Sequence, residues 1–262
     1  MGLVFGFTIA CYIISSLGYQ GYIVFQKRPV YRISSIFLGI GFACHTGVLI
    51  ASYVQSGYIP VHSLHETLST FGWAVIGVFL ILQIRFHLMV LGALVAPLAT
   101  LAVIISSMLP RAQVELAPFV QGLWRTVHMG TLVLGNAAFA IACLVGILYL
   151  IQEKAIKNKN QGFFFRRLPS LKLLDSTGYA SLIVGFPLLT FGIISGVVYA
   201  QTVRGRFWSW DPKEIFAVVT WLVYAALLHE RLAVGWQGRR AALMTIIGFL
   251  VLLFTFFLFF TS

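Results

Sequence analysis

Apolar residues follow one another along this chain in runs too long and too continuous for a water-soluble fold. Between charged or turn-rich breaks, the runs lie near 3–25, 33–54, 66–84, 88–108, 125–151, 179–201, 212–234 and 241–260. Each is about 20 residues long, the length that crosses a hydrocarbon core of about 30 Å as an α-helix. The runs do not alternate polar and apolar positions, and within a bilayer each backbone N–H and C=O must find its partner inside its own segment, which selects helices. The pattern predicts an all-α, polytopic integral membrane helical bundle of about eight transmembrane helices.

Composition removes the alternatives. Of 262 residues, 60% are hydrophobic and 10% charged, against roughly 25% charged in a soluble domain. No stretch remains for a separate soluble domain, so 1–262 reads as a single transmembrane domain. A net charge of +11 raises nucleic acid as a partner, but the basic residues sit in short loops rather than in one patch with base-reading side chains. Orientation in a bilayer accounts for them better. One set of alternate loops carries thirteen Lys and Arg, six of them in the long loop 152–178, whereas the other set carries five: Arg111, Arg125, Arg204, Arg206 and Lys213. The basic set is therefore expected in the cytoplasm, with both termini and loops 55–65, 109–124 and 202–211 on the outer (periplasmic or extracytoplasmic) side of a bacterial cytoplasmic membrane. The loop 152–178 would then face anionic lipid. The first run has no basic segment before it and no small-residue cleavage site after it, and is expected to be retained as a helix. Cys11, Cys44 and Cys143 all fall inside apolar runs, which argues against a disulfide framework or a thiol redox role.

The densest chemistry lies at 204–214, Arg-Gly-Arg-Phe-Trp-Ser-Trp-Asp-Pro-Lys-Glu. Asp211 suits an N-cap, Pro212 the first helical position, and Glu214 completes a capping-box-like pattern. Two readings of Trp208 and Trp210 stand side by side. Amphipathic rings at headgroup level form aromatic belts; alternatively, aromatic faces flanked by Arg204 and Arg206 suit a flat apolar ligand with acidic substituents.

The segment FWSWDPKEIFAVVTWLVYAALLH, 207–229, resembles the tryptophan-rich signature of the CcsA and HemX branch of cytochrome c assembly proteins, which are similar to the heme-handling protein CcmC. LPSLKLLDSTGY (168–179), GFPLLT (185–190), GWQGRR (235–240) and the stretch 60–73 with Glu66 extend the likeness over most of the chain. The resemblance implies an eight-helix bundle that receives heme b and presents it, against the tryptophan-rich loop with Trp208, Trp210 and Asp211, to an apocytochrome c outside. A second membrane assembly protein of the CcsB kind is an implied partner. Such a chain is a transporter or chaperone component of a cytochrome c synthase rather than a stand-alone enzyme, because it offers no reactive thiol of its own. The other role the resemblance implies is a HemX-type regulator of tetrapyrrole synthesis, acting on an early pathway enzyme through the basic loop. An ordinary solute transporter with histidine proton relays is the third class, and acidic residues inside the helices are too scarce to favour it.

Histidine is a common axial ligand of heme iron. His128 falls about one turn into the fifth helix, close to Trp124 and Arg125, and the family places an outer-face heme-flanking histidine there; a core histidine bonded to a helix carbonyl is the alternative. The resemblance also supports His229 as a membrane-embedded ligand, and His45, in the second helix, is the histidine expected to pair with it. His62 and His65, spaced i, i+3 in an outer loop, are weaker metal candidates, and His87 is expected at the cytoplasmic boundary. CcsA-like proteins typically carry a further outer histidine after the last helix, and no counterpart occurs before Ser262.

Overall fold

The computed structural model describes residues 2–57, 59–61, 63–86, 88–110, 119–159, 162–163 and 165–261. Among the described residues are eight α-helices: α1 Gly2–Phe25, α2 Arg28–Ser56, α3 Leu64–Phe86, α4 Gly92–Met108, α5 Phe119–Lys157, α6 Leu171–Arg204, α7 Pro212–His229 and α8 Arg239–Thr261. A π-helical turn, Glu230–Val234, continues α7. No strand occurs among the described residues. Every predicted helix is present, and seven are long and apolar enough to cross a membrane.

Three elements depart from their predicted lengths for physical reasons. The fourth run was expected to be helical from residue 88, yet helix α4 starts at Gly92 and holds 17 residues, about 26 Å. Leu88 and Leu91 are buried side chains of a preceding turn, and apolarity alone does not separate a buried turn from a helix. In contrast, α5 and α6, with 39 and 34 residues, extend to about 58 and 51 Å, well beyond a hydrocarbon core of about 30 Å. The start of α6 is fixed by Ser170, whose hydroxyl accepts from the Leu173 N–H; the polar residues after it hid this turn from a reading based on apolar length.

The chain forms two compact units, Met1–Thr126 and Val127–Ser262. In the first, α1 packs on α2 and α4, and α3 on α4. Its interior carries a file of paired polar side chains. Tyr12 Oη meets His45 Nδ1 at 3.2 Å, Ser16 Oγ meets Thr100 Oγ1 at 2.8 Å, and Tyr19 donates to Gln83 at 2.7 Å. Gln83 in turn donates to Ser35 at 2.7 Å. Polar groups removed from water are tolerated when each finds a partner, and here the partners come from different helices.

The second unit is built on ring stacking. Phe139 of α5 lies face to face with Tyr224 of α7, with centroids 3.6 Å apart and planes 6° from parallel, among Leu182, Leu189, Leu227, Leu228 and Leu252. Gly185 of α6 makes this stack fit, because a Cβ there would stand 2.7 Å from the Phe139 ring. At the basic ends of these helices, Asp175 of α6 receives the Arg231 guanidinium at 2.6 Å and the Gly238 N–H at 2.9 Å. The separate motifs 168–179 and 235–240 thus meet on one carboxylate. We expect Gly185→Val to overpack the Phe139–Tyr224 stack and cost about 1–3 kcal/mol. A lower melting midpoint of the detergent-purified protein checks this; an unchanged midpoint contradicts it.

Candidate functional site

The loop between α6 and α7 is fixed at both ends. Helix α6 closes on Gly205 at φ 69°, whose N–H donates to the Gln201 carbonyl, the left-handed cap that glycine adopts without strain. Helix α7 opens with Asp211 in extended conformation and Pro212 in its first turn, as the sequence predicts. The capping box does not form as expected. The Asp211 carboxylate makes no cap bond and instead receives Arg204 Nη1 at 3.1 Å, while Glu214 takes Arg204 Nη2 at 2.8 Å and the Ser209 N–H at 2.7 Å. One guanidinium therefore bridges both acids, and the second acid holds the loop backbone. Arg204 is committed to shaping the loop, and Arg206 is the exposed cation beside it.

This clasp presents the aromatics. Trp208 is half-buried and Trp210 is 75% exposed, and the two rings meet edge to face at 6.0 Å and 86°. Trp210 sits at φ 60°, a left-handed conformation that a bulky residue adopts only when its surroundings impose it, at about 1–3 kcal/mol. Trp208 Nε1 and Ser209 Oγ are buried and have no hydrogen-bond partner among the described residues. They are unpaired in a loop whose carboxylates and backbone are otherwise tightly paired.

His128 stands on α5 against the same helix that carries the loop. Its Nδ1 lies 2.7 Å from the Gly192 carbonyl of α6, which is the core-histidine bond anticipated as the alternative to a ligand role. That bond uses one ring nitrogen, so the two readings do not compete. Gly196, beside the ring, lies eight residues before Arg204, about 12 Å below the start of the tryptophan loop along α6. Gly192 and Gly196 are the contacts of the His128 ring on α6 that the sequence reading missed. Their i, i+4 spacing on an apolar helix, a close-packing signature, was the available signal.

The remaining candidates are dispersed. Trp124 and Arg125 are half-buried on α5, about one turn before His128, but belong to the first unit. His229 is the exposed last residue of α7, directly before the π turn. His45 is wholly buried in the first unit, with Nδ1 on Tyr12 and Nε2 on Ser69 at 2.9 Å, so both its nitrogens are engaged. His65 is not in a loop as expected. It lies in the first turn of α3, with Nδ1 2.5 Å from the Ser106 carbonyl of α4. His62 and His87 lie outside the described residues. The larger of the two cavities described, about 210 Å³, is at the opposite end of α5 from His128, lined by Ile151, Lys154, Ala155, Asn158 and the ring residues Phe163 and Phe165.

Residues 40–261 match the profile of the family described as Cytochrome C assembly protein. The chain belongs to this family. Among relatives named cytochrome c biogenesis protein CcsA, that of Guillardia theta is 34% identical, covering 93% of this chain and 88% of its own length. The Chlamydomonas reinhardtii protein is 34% identical over 85% of this chain and 64% of its own. That of Synechococcus strain CC9902 is 33% identical over 79% and 76%. The family match spans the tryptophan-rich loop, His128, nearly all of the second unit and the first unit from residue 40. We expect Trp210→Gly to relieve the left-handed strain and stabilise the protein by about 1 kcal/mol, net of glycine's greater unfolded-state entropy. A raised midpoint of chemical unfolding checks this, and a lowered one would show that the indole contributes more than its backbone costs.

Proposed function

We propose that this multi-pass membrane protein binds heme b and presents it at the outer face of a bacterial cytoplasmic membrane for attachment to apocytochrome c, together with a second membrane assembly protein. One observation carries the reading: the tryptophan-rich loop is clasped at the end of the same helix against which His128 rests, and Nε2 of that histidine is not needed by its carbonyl bond. The donor set fits the cofactor. An imidazole nitrogen suits the iron, the faces of Trp208 and Trp210 suit an apolar macrocycle, and Arg206 suits its carboxylates. Asp211 and Arg204 would hold the loop in shape, and Trp124 and Arg125 would flank the His128 end of the site. The cofactor supplies the vinyl groups that apoprotein thiols attack, and the protein supplies binding, orientation and exclusion of side reactions. His229 would hold heme within the membrane.

A HemX-type regulatory role is the second reading. It is favoured by the basic end of α5, where Lys154 lines the 210 Å³ cavity, a surface suited to a cytoplasmic partner.

The purified protein is expected to show a low-spin heme spectrum that His128→Ala and His229→Ala each diminish. Unchanged heme content in both variants would sink the proposal. A deletion strain separates the two roles: loss of c-type cytochromes supports assembly, and normal cytochromes with altered abundance of an early tetrapyrrole enzyme support regulation.

A further inference from the structure

The surroundings of His128 specify more than a place for a ring. A backbone carbonyl can only accept, so the 2.7 Å approach of Nδ1 to the Gly192 oxygen puts the proton on Nδ1 and leaves the lone pair of a neutral ring on Nε2. The same carbonyl receives the hydroxyl of buried Ser195 at 3.0 Å, which fixes the acceptor the histidine uses. The ring plane is set by a second contact. A Cβ on Gly196 would stand 2.5 Å from His128 Cε1 and 2.8 Å from Nδ1, closer than atoms approach without displacement, so the imidazole lies on α6 only because residue 196 has no side chain. Alanine there would push the ring away from the Gly192 carbonyl as well.

We propose that Gly196 and the Gly192 carbonyl are the positioning elements of the heme ligand His128, fixing its tautomer and ring plane so that Nε2 alone is presented to iron. This rests on the reading of His128 as a ligand. A histidine whose other nitrogen donates to a carbonyl is a stronger and better-oriented ligand, and loss of such a partner costs on the order of 10–100-fold in metal affinity. Glycine at 196 is therefore selected by ligand geometry as well as by helix packing.

The test uses wild-type protein, His128→Ala, Gly196→Ala and the double variant, each purified as the full chain in detergent and titrated with heme. Gly196→Ala is expected to weaken heme binding by about tenfold or more and to alter the low-spin spectrum, while the double variant binds no worse than His128→Ala. Melting of the heme-free proteins supplies an independent readout. The midpoint lowered by Gly196→Ala should return in the double variant to that of His128→Ala, because removing the ring makes room for the new methyl group. Wild-type heme binding by Gly196→Ala, with His128→Ala impaired, overturns the positioning role alone. Additive losses in the double variant also overturn it, since they would assign Gly196 to general packing. Wild-type heme binding by His128→Ala overturns the ligand reading and this inference with it.

Discussion

Hydrocarbon offers no hydrogen bonds, and this one constraint orders the chain at every scale. It turns the apolar runs into helices, because only a helix pairs its own backbone within a segment. It then acts on side chains. The file of Tyr12, His45, Ser16, Thr100, Tyr19, Gln83 and Ser35 in the first unit consists of groups that would be costly alone and are paired across helices. The second unit is built differently, on a core of stacked rings and leucines, with ion pairs such as Arg231–Asp175 at the helix ends.

At the tryptophan loop the constraint is relaxed, and the loop spends its interactions on shape. A single arginine gathers two acids, one acid holds a backbone N–H, and the result is a segment in which an exposed indole is kept in a left-handed conformation. Local strain persists only where surroundings over-determine it. Here those surroundings are Arg204 and the two helix ends that Gly205 and Pro212 define. The Trp210 ring is thereby held exposed beside a half-buried Trp208.

The helices were legible because hydrophobic length is a direct readout of bilayer thickness. What was not legible depended on contacts. Leu88 and Leu91 are as apolar as any helix residue, and only their packing shows that they belong to a turn. The N-terminal extension of α6 is polar and was hidden for the opposite reason. Asp211 and Glu214 have the spacing of a capping box, yet Arg204, seven residues upstream of Asp211, competes for both carboxylates and redirects them; a spacing rule does not see that competitor. The candidate site was singled out by its residue types, His128 and the tryptophans, through chemistry and resemblance. Its supporting glycines were not, because a glycine announces itself only through the neighbour that it lets approach.

The π turn after His229 has a consequence for how this chain tolerates change. A turn of this kind holds one residue more than the α-helical turn it replaces, so deleting one residue there would restore an α-helical turn while leaving the flanking segments in phase. Asp175 receives both Arg231, within the π turn, and the Gly238 N–H after it, so one carboxylate holds the segment at two points. The segment between His229 and Gly238 is thus held by that shared carboxylate, although Leu232, Ala233 and Val234 are exposed.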